Sequence, residues 1–323
     1  MRFARRSQTV RRHIPLILVI LLGGCSNAFL VQPVKVPSEL RMVVREAPDG
    51  RTRNKVAYIE VEGVLRQRGG STRDDPVTRL RGELRLAEKD SSVKAVVLRI
   101  NSPGGTAAAS DLAYEEVMRF KRRSRKPVVA HITGLGTSGA YYVALAADEI
   151  YAAPASITGS IGVIMQLFNV QGLLAKIGVE TQAIKTGEQK DMGSPFRELT
   201  EEDRKIFEQI LDSFYARFTN LIAERRSGLS VEEVKKLADG RVYSASQADA
   251  LGLVDAEAYP DAVFARAKSL AGISRARIAG FEKPFEGTGL GLAGAELNVK
   301  FDLPGADLAP GVYYLWLPGK SEP

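Results

Sequence analysis

Two strand–turn–helix units follow one another in the middle of the chain, and they limit the fold more than any other feature. Val93 to Ile100 is a mostly β-branched run that predicts a buried strand. It ends in the turn Asn101-Ser-Pro-Gly-Gly105, and a helix is predicted from Ala107 to Arg123. A second strand, Pro127 to Ile132, ends in a glycine-rich turn at residues 133–139 that leads into another helix. The alternation predicts an α/β fold with largely parallel strands.

The chain divides into four stretches of different character. Residues 1–25 have the pattern of a signal peptide, and residues 26–54 are mixed and proline-bearing, which predicts a tether. Residues 55–280 form the predicted domain, whose second half is more helical. In the glycine- and proline-rich extension, residues 281–323, only Gly311 to Leu317 has the pattern of a strand.

The N-terminal stretch predicts export and a membrane anchor. A basic segment and the apolar run from Ile14 to Leu22 precede Gly23-Gly24-Cys25, which is typical of a bacterial lipobox. Cys25 is the only cysteine of the 323 residues, so an internal disulfide is excluded and lipid modification is the favoured role. The alternative is an uncleaved signal anchor from Ile14 to Val31. Both interpretations place the body outside the cytoplasm, anchored at the cell envelope on the periplasmic face, with the inner or outer membrane left open.

The net charge of +7 does not predict a nucleic-acid partner. Subtracting the five leader arginines leaves +7 − 5 = +2 for the remainder, so the body is nearly neutral. These are Arg2, Arg5, Arg6, Arg11 and Arg12.

Several kinds of active site are disfavoured by what the sequence lacks. Of two histidines, His13 lies in the leader, so the body contains only His131, and no cluster has the spacing of a zinc site. The turn ending at Gly105 lacks the Gly-Lys-Ser/Thr of a phosphate loop. No cofactor is therefore expected, and a hydrolase of this composition needs a nucleophile without the usual histidine base. Serine with a lysine base meets that need.

Ser138 is the best candidate nucleophile. It lies in Gly136-Thr-Ser-Gly139, between a predicted buried strand and a helix, where such a turn exposes a serine hydroxyl. The free backbone N–H of Gly139 is a candidate oxyanion donor, with Gly104 or Gly105 as the second. The alternative is that these segments are only tight turns that end buried strands.

Four ordered motifs, spread over about two thirds of the chain from Lys55 to Ala271, resemble those of the signal peptide peptidase A (SppA) family in its short, single-unit form. The motifs are Ile100-Asn-Ser-Pro-Gly-Gly105, Gly136-Thr-Ser-Gly-Ala-Tyr-Tyr142, Thr158-Gly-Ser-Ile-Gly-Val163 and Lys185-Thr-Gly-Glu-Gln-Lys-Asp-Met-Gly193.

The resemblance implies a Clp protease/crotonase-like spiral of strands and helices, assembled as a ring-shaped homo-oligomer, with a serine–lysine dyad. Ser138 matches the nucleophile and Lys190 the general base. Ser160 matches a serine that hydrogen-bonds the lysine, and Gly105 and Gly139 match the oxyanion donors. One departure is Ala140, where members usually have a second glycine; we expect it to fit the start of the helix.

The proposed base has to be a neutral amine. A lysine in water has a pKa of about 10.4, so fewer than about one in a thousand is neutral at pH 7, and burial away from carboxylates is required. Asp191 follows Lys190 directly, but neighbours in an extended segment point to opposite sides and need not pair. Lys185 is a rival base, whereas His131 lies inside a predicted strand and favours a structural role.

The predicted function is a membrane-anchored serine endopeptidase that cleaves signal-peptide remnants or other extended peptides. Two alternatives are an acyl-CoA enzyme of the crotonase type, which export disfavours, and a non-catalytic envelope lipoprotein that keeps the ring as a scaffold.

The lipobox gives a direct test. Cys25→Ser should abolish labelling of the protein by a radioactive or clickable fatty acid, because no other thiol exists, while the body stays active on a soluble peptide. Lipid labelling that persists in this variant would contradict the prediction.

Overall fold

The computed structural model describes residues 40–67, 75–282 and 311–315. Cys25 and the leader lie outside the described residues. Within the described ranges, none of the helices combines the length and apolarity that a membrane crossing requires.

Twelve strands are present in the described parts of the chain. They are β1 (Arg41–Glu46), β2 (Lys55–Glu62), β3 (Val93–Ser102), β4 (Gly104–Thr106), β5 (Val128–Thr137), β6 (Glu149–Ala152), β7 (Ile157–Gly159), β8 (Ile164–Gln166), β9 (Val242–Ser244), β10 (Ala256–Glu257), β11 (Arg277–Glu282) and β12 (Gly311–Leu315).

Eight α-helices and one short 3-10 helix accompany them in the same ranges. They are α1 (Pro76–Lys89), α2 (Ala107–Ser124), α3 (Gly139–Ala144), α4 (Gln171–Lys176), the 3-10 helix Glu188–Asp191, α5 (Glu201–Arg225), α6 (Val231–Leu237), α7 (Ala245–Ala250) and α8 (Pro260–Leu270).

The main sheet has the order β1-β11-β2-β3-β5-β6-β10, with β7 paired to β5 and β9 paired to β7. All pairs along β11, β2, β3, β5, β6 and β10 are parallel, and so is β5 with β7. The predicted α/β class with parallel strands is therefore confirmed. The two antiparallel pairs, β1 with β11 and β7 with β9, lie outside that central series.

Apolar side chains cover both faces of the central strands, as expected for parallel strands between two layers. Along β3, Val96, Leu98 and Ile100 belong to the larger core, which α1, α2 and α3 cover. Ala95 and Val97 alternate with them and face a smaller core that includes Val263 of α8. The unbroken apolar run of this strand follows from that double burial.

Strand β5 changes its partner halfway along, and this positions the turn that follows it. Residues 129–132 pair with β6, whereas Leu135 to Thr137 pair with β7. On the other side, the register against β3 shifts between Ile100 and Ser102. The end of β5 is therefore splayed away from β6 and sits among short strands.

The sequence patterns did not predict the partners of two strands. The stretch interpreted as a tether includes β1, which pairs with β11 some 230 residues later, from Arg41↔Glu282 to Glu46↔Ile278. The predicted strand in the C-terminal extension exists as β12, but it lies between β4 and β8 in a separate three-stranded antiparallel sheet.

Strand β4 passes so close to the segment before α1 that only glycine fits. A Cβ on Gly105 would lie 1.8 Å from the carbonyl oxygen of Leu65 and 2.4 Å from its carbon. The contact is a parallel bridge in which Leu65 N–H donates to the Gly104 carbonyl at 2.7 Å and Thr106 N–H to the Leu65 carbonyl at 2.8 Å.

We predict that Gly105→Ala lowers the free energy of unfolding by about 3 kcal/mol, because two backbone segments must separate to admit the methyl group. Denaturant unfolding of the purified protein measures the loss. The matched control is Gly172→Ala in α4, where no atom lies within 4 Å of the added Cβ and alanine favours the helix. Equal unfolding midpoints for the two variants would contradict the close approach.

Candidate functional site

Ser138 connects β5 to α3 in a backbone conformation that serine rarely adopts. Its φ is 54° and its ψ −118°, and the residue is only 1% exposed. Conformations of this kind cost about 1–3 kcal/mol and persist where the surroundings fix them. Here the Ser138 N–H donates to the Gly159 carbonyl at 2.7 Å, and the Ser138 carbonyl accepts from Tyr142 in the first turn of α3. The turn has the character of a nucleophile elbow.

Ser160 lies beside this turn because of the β5–β7 register. Thr137, the last residue of β5, is opposite Gly159, the last residue of β7. Ser138 and Ser160 directly follow them and therefore lie side by side. Ser160 also has a positive φ, 49°, and its N–H donates to the Arg241 carbonyl at 2.7 Å. Only one further non-glycine residue in the described ranges, Arg125, has a positive φ. Two of the three strained residues therefore meet at this position.

Backbone N–H groups converge on the same place. Gly139 is the first residue of α3, so its N–H has no partner within the helix. A Cβ on Gly104 would lie 2.7 Å from that nitrogen and 3.0 Å from the Thr137 carbonyl, which shows how closely β4 approaches the turn. Gly104 has a φ of 96°, which favours glycine. The structure thus brings Ser138, Ser160 and the predicted oxyanion donors Gly105 and Gly139 to one edge of the sheet.

The packing of α3 accounts for the one departure from the family motif. A Cβ on Gly139 would meet Ser110 Oγ at 2.2 Å, so glycine is required there. Ala140, the next residue, is fully buried in the helix without such a conflict and belongs to the larger core. The helix therefore accepts alanine at its second position and glycine at its first.

Lys190 is not joined to the serine by a hydrogen bond in the described part of the chain. It lies in the 3-10 helix Glu188–Asp191 within an exposed segment, residues 164–199, and is itself exposed. Its backbone N–H donates to the Gly187 carbonyl at 3.1 Å. Of the five predicted catalytic and orienting residues, the structure thus assembles four and leaves the lysine apart.

The charges around Lys190 are committed to other partners. Asp191 Oδ1 accepts from Lys185 Nζ at 2.7 Å and lies 3.1 Å from Arg197 Nη2, and these contacts lower the pKa of Asp191 to about 2. Arg197 in turn pairs with the buried Asp203 at 2.5 Å. Lys185, the rival base, is therefore engaged in an ion pair, and the Asp191 carboxylate contacts Lys185 and Arg197.

His131 has the structural role that its position in the strand predicted. Its Nε2 lies 3.1 Å from the Ala258 carbonyl, and the residue is 1% exposed. Burial lowers the pKa of His131, although the Ala258 contact opposes the shift. Ala258, the partner of the ring, packs against the smaller core.

An aromatic cluster next to the turn was not expected from the sequence. Tyr142, one turn along α3 from Ser138, contacts Phe218 of α5 at 5.1 Å and Tyr314 of β12 at 5.5 Å between ring centroids. Tyr142 is the last residue of the second family motif, but nothing in the neighbouring sequence indicates that residues 76 and 172 positions later pack against it.

No group of metal-ligating side chains occurs within residues 40–67, 75–282 and 311–315. The groups that the structure brings to the turn are the side chains of Ser138 and Ser160 and the backbone of Gly105 and Gly139.

Comparisons with known proteins point to one peptidase family. The model of peptidase family S49 matches residues 120–274. The chain is 33% identical over 255 residues to an Enterococcus faecium protein named as a candidate signal peptide peptidase SppA, and the match covers 76% of this chain and 74% of that protein. It is 41% identical over 191 residues to a candidate protease of Methanocaldococcus jannaschii, covering 59% of this chain and 60% of that protein.

Among solved structures, the chain is similar to a ClpP1 variant from Listeria monocytogenes, with a TM-score of 0.43 and 19% identity over 64% of this chain and 94% of that one.

The family match and the parallel sheet agree with the predicted Clp protease/crotonase-like fold class. They also favour the peptidase over the two alternatives, an acyl-CoA enzyme and a non-catalytic scaffold. The chain belongs to peptidase family S49, the SppA family, and is a serine peptidase.

Proposed function

We propose that the protein is an envelope-anchored endopeptidase in which Ser138 is the nucleophile and Lys190 the general base, acting on extended peptides such as signal-peptide remnants. The observation that carries the proposal is the strained turn at Ser138, which is held between two glycine backbones and beside Ser160. No other serine in the described ranges combines a positive φ with the start of a helix.

The proposed reaction is an acyl transfer in two steps. The Lys190 amine accepts the hydroxyl proton of Ser138 while the serine oxygen attacks the peptide carbonyl. The N–H groups of Gly139 and Gly105 stabilise the resulting oxyanion, and its collapse expels the amine, which takes the proton from the Lys190 ammonium. Water then hydrolyses the acyl-enzyme, with Lys190 again accepting the proton. Ser160 orients the neutral amine through a hydrogen bond.

A base of this kind needs a covered environment, and the single chain does not provide one. The segment that carries Lys190 also exposes large apolar side chains, with Ile184 98% exposed. Such a concentration is typical of a surface that another protein molecule buries. We therefore propose that a ring-shaped homo-oligomer covers this segment and brings the amine to the serine. The other exposed members are Ile164, Phe168, Leu173, Ile177, Val179 and Phe196.

The proposed location follows from the N-terminal sequence. A lipidated Cys25, or an uncleaved anchor, would hold the body at the periplasmic face of a membrane, where signal-peptide remnants and other membrane-released peptides occur. This location supports a substrate with an extended backbone and apolar side chains.

We predict that Ser138→Ala and Lys190→Ala each lower kcat/KM for a fluorogenic peptide by at least about a thousandfold, and that the double variant is no slower than either. Groups that act as one unit show this non-additivity. Thermal unfolding of each variant should match the wild type, because neither side chain makes a hydrogen bond to another described residue.

The matched control is Lys176→Ala, which removes another exposed lysine of the same segment. It should keep the wild-type rate. Substantial activity in Lys190→Ala, together with its loss in Lys185→Ala, would replace the proposed base by Lys185.

The dependence of kcat/KM on pH distinguishes the two possible bases. A lysine base gives a rate that increases with pH across the neutral range, as the ammonium loses its proton. Burial lowers the pKa of His131 from its ordinary 6.5. If that histidine were the base, the loss of kcat/KM toward acid, the acid limb of the profile, would therefore lie below pH 6.5. We predict that His131→Gln, which can still donate to the Ala258 carbonyl, leaves the acid limb unchanged. Disappearance of that limb in His131→Gln would contradict the lysine mechanism.

A further inference from the structure

The short helix that contains the proposed base is part of a hydrogen-bonded turn. Within residues 187–194, the Lys190 N–H donates to the Gly187 carbonyl at 3.1 Å, and the Ser194 N–H donates to the Asp191 carbonyl at 3.0 Å. The side chain of Asp191 is only 17% exposed, although it directly follows the exposed Lys190. A contact that holds the Asp191 side chain therefore also restrains the backbone from which the lysine extends.

Arg197 makes such a contact, and it connects the turn to the next helix. Its Nη2 lies 3.1 Å from Asp191 Oδ1, while its Nη1 donates to Asp203 Oδ2 at 2.5 Å. The same Nη1 also donates to the Glu198 carbonyl at 2.8 Å. One guanidinium thus joins two carboxylates of different elements, the 3-10 helix and α5. Arginine suits this role because its donors are spread over a planar fork.

The α5 end of this connection is firmly held. Asp203 is buried, and within the capping box its Oδ2 accepts from the Thr200 N–H at 3.2 Å while its own N–H donates to Thr200 Oγ1 at 3.1 Å. The hydrogen bond from Arg197 is the main cause that lowers the pKa of Asp203. Further along α5, Phe218 and Ile222 belong to the larger core. The connection therefore leads from the exposed segment to the packed body of the domain.

The backbone of Arg197 is held from a second direction. Asn169 Nδ2 donates to the Arg197 carbonyl at 2.8 Å, and the Val170 N–H donates to the Pro195 carbonyl at 2.7 Å. These bonds join the stretch before Arg197 to the segment that follows β8. The guanidinium is therefore directed toward Asp191 from a backbone that is itself fixed.

Lys185 contacts the same carboxylate from the outside. Its Nζ donates to Asp191 Oδ1 and to the Glu188 carbonyl, both at 2.7 Å. All of residues 180–187 are exposed, so this contact connects the turn to the exposed segment itself. Of the two cations that contact Asp191, Arg197 is the one that is joined to α5.

We infer that Arg197 is the positioning residue of the base: by joining Asp191 to Asp203, it fixes the place from which Lys190 acts on Ser138. The inference rests on the proposed function, because it takes Lys190 as the general base. Arg197 acts through the lysine and takes no part in the proton transfer. Its loss should lower turnover more than substrate binding, because a displacement of about 1 Å in a reacting group can slow a reaction by about a hundredfold.

A purely structural role for Arg197 gives a different expectation. Arg197 would then only neutralise the buried carboxylate at the start of α5, and any cation at this position would restore both stability and activity. Arg197→Lys separates the two roles. Its ammonium can pair with Asp203 but lacks the fork that reaches both carboxylates.

The test measures kcat and KM of the full chain with a fluorogenic peptide. Arg197→Lys should lower kcat at least about tenfold with KM nearly unchanged, and should unfold near the wild-type temperature. The matched control is Arg204→Lys in the first turn of α5, whose guanidinium lies 4.0 Å from Glu201 in an exposed pair, and it should keep both constants. A wild-type kcat in Arg197→Lys would overturn the inference and leave Ser138 and Lys190 in their proposed roles.

Asp191→Ala breaks the same connection at its other end and leaves the buried pair of Arg197 and Asp203 intact. It should lower kcat to a similar extent, and the double variant Arg197→Lys/Asp191→Ala should be no slower than the slower single variant, because both changes remove one connection. A wild-type kcat in Asp191→Ala, or losses that multiply in the double variant, would contradict the inference.

The Lys190→Ala background tests whether Arg197 acts through the lysine. The measured quantity is the residual rate at which a fluorophosphonate labels Ser138, followed by intact-protein mass spectrometry. Adding Arg197→Lys should cause no further loss, because the group that it positions is already absent. A further loss would show that Arg197 acts by another route and would overturn the inference. Wild-type activity of Lys190→Ala itself would instead overturn the proposed function.

Discussion

The division of β5 between two partners is the constraint on which the rest of the site depends. Its first half is locked between β3 and β6, while its end pairs with β7 instead. That change fixes Gly159 where it accepts from the Ser138 N–H, and it sets Ser160 alongside. Residual strain at two serines is tolerated because the parallel ladder around them is buried and closely packed. Ser138 is positioned by the backbone pairing of the sheet.

Much of this arrangement could be predicted from local sequence. The run from Val93 is apolar on both faces, which identified a central strand, and the turn at Gly136–Gly139 identified the start of a helix. Capping boxes at Thr200 and Ser230, which are local sequence signals, begin the helices α5 and α6. Ordered motifs also placed the glycines of β4 and Ser160 near Ser138. These features depend on residues that are close together in the chain, so they can be predicted without a structure.

Contacts between distant segments could not be predicted in the same way. The pairing of β1 with β11 joins residues more than 230 positions apart, and β7 is only three residues long and carries no period. The alternating pattern of residues 311–315 predicted a strand, but such a pattern does not indicate which strand pairs with it. The exposed position of Lys190 was equally hidden, because the sequence near it is polar whether or not another molecule covers it.

The chain of ion pairs from Lys185 through Asp191 and Arg197 to Asp203 has a consequence for ionic strength. Its outer end, at Lys185, is a third exposed, whereas the Asp203 carboxylate is fully buried. Dissolved salt screens exposed pairs over about 8–10 Å but affects buried ones much less. The ion pair between Arg197 and Asp203, at the start of α5, should therefore persist in salt. The ion pair between Lys185 and Asp191 should weaken first. The segment that contains Lys190 should therefore respond to dissolved salt at its outer end, whereas its attachment to the start of α5 should not.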